Sequence, residues 1–242
     1  SFYEFIIKKK SKFNNYKNLI RIIIKLQNIK PKRTYHFGKY KINFQNYSIK
    51  NLHKESDLFF DWYLQHCLKS SKQKKIKNIL KKELTKVYKK LYFKNTVFVH
   101  RDFHASNIMV NKNKLGLIDS QDAIIGNPLY DLASLIDDVR IKLPSNLQER
   151  LLNFYYSKSK LKKEQYKNLK NDFEILSVQR NLKILGIFVR LFKRDGKPDY
   201  LKYLPYTWRL IERRLKNPVF KNFNLILKKY LKVQKLKKIN SL

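Results

Sequence analysis

Apolar residues recur every three or four positions along three segments in the first part of the chain, the spacing that places them on one face of a helix. We predict helices over 14–28, 49–69 and 72–92. Their expected core positions are Tyr16, Leu19, Ile20, Ile23, Leu26, Leu52, Phe59, Trp62, Cys67, Ile76, Ile79, Leu80, Leu84, Val87 and Leu91. The opening stretch, SFYEFIIKKK, also has the pattern of a helix interior, and the polar stretch 31–48 is predicted to be a connector.

The pattern changes from helical to extended after the third helix. Three short β-type runs follow, TVFV, NIMV and LGLI, and the polar NKNK at 111–114 is a turn signal between the last two. If 111–114 form the turn, Val110 faces Leu115 and Asn107 falls opposite Ile118. We therefore predict a hairpin here, and we expect no β-rich segment before the first of these runs.

Helical periodicity returns for the rest of the chain. Asn127 is the expected N-cap of the next helix, with Pro128 at its first position. Further helices are predicted at 146–157, 162–192, 199–215 and 219–236. The pattern indicates an α+β fold, mostly helical with a small β-hairpin insert, and we expect residues 1–242 to form a single domain.

The composition fits a globular protein of strongly basic character. Lys and Arg number 55 against 18 Asp and Glu, which gives a formal charge of +37, while 43 % of the residues are hydrophobic. Such a charge suits anionic partners. The lysines are spread over nearly all predicted helices, so nucleic acid stays open as a partner but is not favoured. The single cysteine, Cys67, excludes an internal disulfide and indicates a reducing compartment, so we expect a cytoplasmic protein without a membrane span.

Chemically versatile side chains gather around the predicted hairpin. Asp102 lies in the segment that leads into its first strand, and Asn107 and Asp119 are neighbours at its open end. An amide oxygen and a carboxylate form a hard ligand set that suits Mg²⁺ and is poor for Zn²⁺. A nearby carboxylate can orient and deprotonate an attacking hydroxyl. The arrangement therefore indicates phosphoryl transfer.

The segment HRDFHASN fits the kinase catalytic-loop pattern H-R-D-x-x-x-x-N, and an aspartate follows one hairpin later. With VHRDFHASNIMV and GLIDSQDAIIGNPLYDLASLIDD, the chain resembles the aminoglycoside phosphotransferase and choline kinase superfamily, which has a protein-kinase-like fold. The segments DLFFDWYL and QRNLKILGIFVRL strengthen a resemblance to the bacterial kinases of cell-wall recycling. Those kinases phosphorylate the anomeric hydroxyl of N-acetylmuramate and N-acetylglucosamine.

The resemblance implies a role for each matching residue. Asp102 would be the catalytic base, Asn107 and Asp119 would bind Mg²⁺, and ATP would donate the phosphoryl group to an amino sugar. Residues implied to support the catalytic loop, or to recur in the motif, are His100, Arg101, His104, Gln121, Asp122 and Asp131. The family motif carries an aromatic residue where this chain has Ser120, which we interpret as altered packing behind the metal.

Some candidate residues have an equally plain structural interpretation. Asp131 lies in the first turn of a predicted helix, where it would complement the helix dipole. Arg180 and Asn181 interrupt an apolar helix, and Glu55 and Asp61 lie on another. Polar side chains that face a cleft suit a sugar or its carboxylate, but long side chains also reach solvent from buried positions.

Kinases of this fold hold ATP between two lobes, and the smaller lobe supplies a phosphate-covering loop and a lysine on a strand. The glycines of this chain are scattered, at Gly38, Gly116, Gly126, Gly186 and Gly196. We therefore expect residues 1–242 to comprise the C-terminal lobe, with the N-terminal nucleotide-clamping lobe absent. A choline or aminoglycoside kinase is the alternative within the enzymes. A catalytically inactive basic module that binds nucleic acid or anionic surfaces is the alternative outside them.

Overall fold

The computed structural model describes residues 1–68, 70–112 and 114–230. Predicted features at Lys69, Asn113 and 231–236 lie outside the described residues. The α-helices are α1 (Phe2–Ile7), α2 (Phe13–Gln27), α3 (Ile49–Leu58), α4 (Ser70–Tyr88), α5 (Leu129–Ile136), α6 (Ser145–Lys158), α7 (Tyr166–Asp195), α8 (Leu204–Arg214) and α9 (Lys221–Tyr230). The strands are β1 (Thr34–Phe37), β2 (Tyr40–Asn43), β3 (Val97–Val99), β4 (Ile108–Asn111), β5 (Lys114–Leu117) and β6 (Ile124–Gly126). The predicted fold class, mostly helical with small sheets, is confirmed.

The chain forms two compact units. The first comprises Ser1–Tyr47 and Tyr92–Phe173, and the second comprises Ser48–Leu91 and the chain from Glu174 onward. The expectation of a single domain stays a prediction. The catalytic-loop motif and the hairpin belong to the first unit.

The core of the first unit is built around α5. All eight of its residues are buried, and α2 packs against it and against α6. Gln27, at the end of α2, donates a hydrogen bond to the carbonyl of Pro128 (2.7 Å) and accepts one from the hydroxyl of Tyr155 (2.8 Å). This amide ties α2 to α6 and to the residue before α5.

Two strand assignments differ from the sequence-based expectation. The polar stretch 31–48 contains an antiparallel hairpin, β1 with β2, in which Phe37 pairs with Tyr40 across Gly38. Alternating aromatic and polar residues produce it, and the dense lysines concealed that alternation. The strand β6 was also not predicted, because its three residues are all buried and show no alternation. It forms by antiparallel pairing with β3, where Val99 lies opposite Ile124.

The second unit departs from ideal helix geometry after α3. A single helix was predicted over 49–69, but a π-helical turn (Phe59–Tyr63) follows Leu58. A π turn inserts one extra residue, which rotates every later side chain around the axis. Tyr63 is therefore buried, and the predicted core residues Trp62 and Cys67 are half-buried. Trp208 of α8 donates a hydrogen bond to the Tyr63 hydroxyl at 2.6 Å.

Candidate active site

The loop between β3 and β4 begins with a backbone turn that a buried carboxylate holds. The amides of His100 and Arg101 donate hydrogen bonds to the two carboxylate oxygens of Asp131, at 2.8 and 3.1 Å. Asp131 is 2 % exposed in the first turn of α5. Arg101 has φ 72°, in the left-handed region that non-glycine residues rarely adopt. Asp131 thus positions the loop directly through these two hydrogen bonds, in addition to any interaction with the helix dipole.

Asp102 and Asn107 are joined within the same turn of chain. The carbonyl of Asp102 accepts hydrogen bonds from the amide of His104 (2.9 Å) and from the side-chain nitrogen of Asn107 (3.2 Å). The amide nitrogen of Asn107 is thus committed to the loop, which leaves its amide oxygen for a cation. The candidate base and a candidate metal ligand are therefore held by one small hydrogen-bonded loop.

The hairpin register places the second candidate ligand beside the first. Val110 lies opposite Leu115, as predicted, and the amide of Ile118 donates to the carbonyl of Asn107 at 3.1 Å. Asp119 comes next, exposed, with φ 61°. The left-handed turn at Asp119 ends the hairpin, so Asn107 and Asp119 occupy the same open end.

His100 connects the loop to this end of the hairpin. Its Nε2 forms a 3.0 Å hydrogen bond with the carbonyl of Ile118, and its ring packs edge-on against Phe103. The side chain is 6 % exposed. His100 thereby contacts Ile118, the residue before Asp119, and its supporting role in the catalytic loop stays a prediction.

Asp138 was not among the predicted site residues, although it holds the other half of the loop. It is 1 % exposed and accepts hydrogen bonds from the amides of Ala105 (3.0 Å) and Arg140 (3.1 Å). Burial raises the pKa of Asp138. The charges of Arg140 and His104 and these amides have the opposite and larger effect, so the pKa lies below its ordinary value. The sequence did offer a signal for this residue, because two adjacent aspartates, Asp137 and Asp138, follow the apolar helix α5.

The segment after the hairpin is exposed. Gln121 and Asp122 both face solvent, as does Ser120. The Arg101 guanidinium donates to the backbone carbonyl of Asp122 at 3.2 Å. In this contact Asp122 contributes its main chain, and the chemical roles of Gln121 and Asp122 stay predictions.

A second buried carboxylate supports the start of α5. Asp172 accepts hydrogen bonds from the amides of Tyr92 and Phe93, both at 2.9 Å, and from the side-chain nitrogen of Asn127 at 2.8 Å. The Asn127 oxygen accepts a hydrogen bond from the amide of Leu129 at 2.9 Å. The predicted N-cap is wrong by one residue, because Pro128, expected at the first helical position, is the N-cap of α5 and the helix begins at Leu129. Burial raises the pKa of Asp172 above its ordinary value despite these hydrogen bonds.

Two of the predicted acids lie on α3 or its π-helical extension, in the second unit. Glu55 is 5 % exposed, accepts a hydrogen bond from the Gln179 amide at 3.0 Å and forms an ion pair with Lys183 at 3.4 Å. Asp61 is half-buried and forms an ion pair with Lys77. Both acids have protein partners, and substrate contact by either stays a prediction.

Arg180 and Asn181 lie on α7 in the same unit. Asn181 is 1 % exposed and donates a hydrogen bond to the Ser177 hydroxyl at 3.3 Å. Arg180 is 4 % exposed, and its Nε is buried without a hydrogen-bond partner among the described residues.

The donor atoms at the open end of the hairpin fit Mg²⁺. Within the described ranges, no three His, Cys, Asp or Glu side chains form a metal cluster. Mg²⁺ requires less, because it keeps several waters and usually takes one or two carboxylates together with substrate phosphates. The Asn107 amide oxygen and the exposed Asp119 carboxylate are hard donors of this kind.

A model of the phosphotransferase enzyme family matches residues 14–164, which include the catalytic loop, the hairpin and α5. The chain belongs to the phosphotransferase enzyme family. The family resemblance inferred from the motifs is thereby confirmed.

Relatives in this family come from bacteria. The chain is 33 % identical over 165 residues to an N-acetylmuramate/N-acetylglucosamine kinase of Pseudomonas aeruginosa, covering 66 % of this chain and 49 % of the relative. It is 31 % identical over 171 residues to a kinase of the same name from Neisseria meningitidis, covering 69 % of this chain and 51 % of the relative. The chain therefore spans about half the length of the relatives it matches.

Solved structures of family phosphotransferases share the fold. A choline/ethanolamine kinase family protein from Mesorhizobium loti superposes with a TM-score of 0.55 at 13 % identity, covering 89 % of this chain and 66 % of that one. A spectinomycin phosphotransferase, solved with ADP and spectinomycin, gives 0.50 at 12 % identity, covering 87 % of this chain and 67 % of its own. In the part of the chain described here, every helix is too short or too polar to cross a bilayer.

Proposed function

We propose that this chain carries the catalytic residues of an ATP- and Mg²⁺-dependent kinase that phosphorylates an amino sugar. The observation that carries the proposal is the loop and hairpin that bring Asp102, Asn107 and Asp119 together. Asn107 is hydrogen-bonded to the Asp102 carbonyl on one side and to Ile118, next to Asp119, on the other. A base and two hard ligands on one short, hydrogen-bonded segment suit phosphoryl transfer.

Each side chain has a definite part in this reaction. Asp102 orients the acceptor hydroxyl and takes its proton as the hydroxyl oxygen bonds to the γ-phosphorus of ATP and the bond from that phosphorus to ADP breaks. Asn107 and Asp119 would hold Mg²⁺, which would neutralise charge on the phosphates. Asp131 and Asp138 keep the loop in place through the backbone amides on either side of Asp102. Positioning of this kind accounts for much of the rate of phosphoryl transfer.

One face of the hairpin suits a nucleotide base. Cross-strand neighbours point to the same side of a sheet, so Asn107, Met109, Gly116 and Ile118 share a face. Met109 and Ile118 are 44 % and 43 % exposed, and a side chain added at Gly116 would meet open space. An exposed, apolar surface beside the proposed metal ligands fits a purine next to its phosphates.

The acceptor is proposed to be N-acetylmuramate or N-acetylglucosamine, at the anomeric hydroxyl. The support is the name shared by the relatives from Pseudomonas aeruginosa and Neisseria meningitidis. Choline and aminoglycosides are the competing acceptors, because the solved structures with this fold include proteins named for both kinds of activity.

Phosphate transfer from labelled ATP tests the proposal. The chain would be fused to the part of the Pseudomonas aeruginosa relative that it does not match, since the match covers 49 % of that protein. The fusion would be assayed with both amino sugars, choline and an aminoglycoside, with and without Mg²⁺. We expect Mg²⁺-dependent transfer to an amino sugar.

If phosphate is transferred only to choline or to the aminoglycoside, the proposed acceptor is wrong but the chain is still part of a kinase. A folded fusion that transfers phosphate to none of the four would contradict the assignment. Salt-sensitive binding of DNA by such an inactive fusion would support the basic binding module instead.

A further inference from the structure

One face of the β1–β2 hairpin is apolar and open to solvent. Residues that pair across an antiparallel ladder project on the same side of the sheet, and successive pairs alternate between the two sides. Phe37 pairs with Tyr40, and two residues farther along each strand Tyr35 pairs with Ile42, so these four side chains share one face. Phe37, Tyr40 and Ile42 are 61, 67 and 48 % exposed. Most of this apolar face is therefore in contact with solvent.

The base of the hairpin is attached to the first unit by aromatic contacts. The Tyr35 ring packs edge-on against Phe44 and lies 6.2 Å from the ring of Phe98 in β3. Phe44 also packs edge-on against Phe98, with ring centres 5.1 Å apart. The exposed apolar residues lie farther out, around the turn at Gly38, whose φ is 57°. The hairpin therefore presents an apolar end from an anchored base.

The turn and the opposite face of the hairpin carry basic side chains. His36 pairs with Lys41 on that face. Lys39 lies in the turn, and its Nζ is 5.8 Å from the centre of the Tyr40 ring. All three basic residues are exposed, and residues 5–54 contain no Asp or Glu. This combination of charges favours an anionic partner.

An exposed apolar end flanked by lysines suits a lipid surface. Apolar side chains enter the boundary between headgroups and acyl chains, and tyrosine is enriched at that depth. Lysines extend along such a surface to reach the headgroup phosphates. We propose that the β1–β2 hairpin attaches the protein to the surface of an anionic lipid bilayer. Phe37, Tyr40 and Ile42 enter the interface, and Lys39 and Lys41 contact the phosphates.

A bilayer fits this surface better than other partners do. A second copy of the chain would bring the same cations against the hairpin, and each copy carries a charge of +37. A nucleic acid would stack its bases on aromatic rings, but Ile42 offers no ring and Lys39 lies over the Tyr40 ring. A protein partner needs a complementary surface of roughly 800 Å² on each side, whereas a fluid bilayer adapts to a narrow hairpin.

Vesicle binding by the 242-residue chain tests the proposal. A chain of this charge adsorbs to any anionic surface, so each variant needs a control that removes the same kind of group elsewhere. The apolar variant is Phe37→Thr/Tyr40→Thr, in which threonine keeps the preference for a strand. Its control is Ile7→Gln/Leu225→Gln, at positions that are 49 and 58 % exposed.

The lysine variant is Lys39→Gln/Lys41→Gln. Its control, Lys221→Gln/Lys228→Gln, removes the same charge from two exposed positions on α9. The probes are vesicles of phosphatidylcholine, vesicles of phosphatidylcholine mixed with phosphatidylglycerol, and a single-stranded oligonucleotide, all at physiological ionic strength because salt screens exposed charges.

The parent and both controls should bind the mixed vesicles more tightly than vesicles of phosphatidylcholine. Each hairpin variant should bind the mixed vesicles at least about 10-fold more weakly than its own control. A reporter locates the contact, since the emission of Phe37→Trp should move to shorter wavelength on the mixed vesicles and that of Leu225→Trp should not. The two natural tryptophans are common to both reporters.

Equal vesicle binding by either hairpin variant and its control would overturn the proposal, because adsorption would then not depend on this hairpin's apolar end or on its lysines. Loss of oligonucleotide binding with unchanged vesicle binding in the hairpin variants would overturn it in favour of a nucleic acid. It is also overturned if, without lipid, the parent sediments as a dimer and Phe37→Thr/Tyr40→Thr as a monomer, which would make the face a contact between two copies. If Phe37→Thr/Tyr40→Thr does not fold, the lysine variant and the two reporters decide.

Discussion

Asp131 accepts a hydrogen bond from the backbone amide of Arg101 at 3.1 Å, and Arg101 holds a left-handed backbone conformation, φ 72°. A non-glycine residue in this region costs about 1–3 kcal/mol. The bond to a buried carboxylate offsets that cost, and the second oxygen of Asp131 holds the preceding amide. The same aspartate therefore fixes the direction in which the chain leaves β3 and presents Asp102.

Asp131→Asn should destabilise the protein. An amide keeps one acceptor oxygen and turns a donor toward the other backbone amide, which leaves a buried group unsatisfied and costs about 1–3 kcal/mol. Urea unfolding measures the change in the free energy of unfolding. The control is Asp122→Asn, at an exposed position, where we expect a change within about 0.5 kcal/mol. Equal stability of the two variants would contradict the positioning role of Asp131.

Asp138→Asn should cost more stability at neutral pH than in acid. The pKa of Asp138 is lowered overall in the folded state, because Arg140, His104 and two backbone amides outweigh the effect of burial. Such a carboxyl stabilises the fold above its unfolded pKa, near 3.8, and the contribution is lost as pH falls through the lower folded value. Urea unfolding at several pH values should show a cost of about 1–3 kcal/mol near neutrality that shrinks below about pH 4.

Asp172→Asn provides a control, because the pKa of Asp172 is shifted in the opposite direction to that of Asp138. Burial raises the folded-state pKa of Asp172 despite four hydrogen bonds to its oxygens. Its stabilising contribution is therefore complete below the unfolded pKa and is lost as pH rises through the folded value. The cost of Asp172→Asn should fall with rising pH while that of Asp138→Asn grows. Parallel pH profiles for the two variants would show that neither pKa shift governs stability.

Asp102→Asn should remove catalysis from the fused kinase with little change in stability. Loss of a positioned general base lowers kcat by roughly 10²–10⁴. The hydrogen bonds from the amide of His104 and the side chain of Asn107 go to the Asp102 carbonyl, which the variant keeps. Steady-state kinetics and thermal unfolding give the two readouts. An unchanged kcat would remove Asp102 from the proposed role of base.

Asp119→Ala should abolish Mg²⁺-dependent nucleotide binding and spare metal-free binding. Asp119 is the cleaner choice for this test, because Asn107 also donates to the Asp102 carbonyl and its loss would disturb the loop. Titration calorimetry of the fused kinase with ATP, with and without Mg²⁺, measures both affinities. Asp122→Ala removes another exposed acid three residues away and should bind Mg-ATP as the parent does. If Asp119→Ala also does so, the hairpin is not the metal site.

Gly186→Ala should destabilise the second unit. A methyl group there would lie 2.2 Å from the carbonyl carbon and oxygen of Leu58, where the π-helical turn begins. Overpacking against backbone costs about 1–3 kcal/mol or more, which exceeds the roughly 1 kcal/mol helix preference of alanine over glycine. Gly116→Ala is the control, since nothing lies within 4 Å of the added group. Similar melting temperatures for the two variants would contradict the close approach of α7 to Leu58.

The sequence by itself determined the approximate positions of most helices, the register of the β4–β5 hairpin and the family. Helical periodicity and a short turn are properties of residues that are neighbours in the chain, so the opposition of Val110 and Leu115 followed from the turn alone. The catalytic motif is equally local, because a short loop needs a set order of side chains to close on itself. The chemical roles assigned to Asp102, Asn107 and Asp119 stay predictions.

The tertiary structure decided how that loop is held and which side chains lack partners. Asp131 and Asp138 act on amides 30 and 33 residues earlier in the chain, and β6 exists because it pairs with β3. The π-helical turn begins next to Leu58, whose carbonyl α7 approaches so closely at Gly186 that no side chain fits there. From the sequence, Arg180 could face a cleft or reach solvent, and its burial is visible only once the helices are packed. In each case the structure depends on contacts between residues that are far apart in the chain, and a local sequence pattern does not predict such contacts.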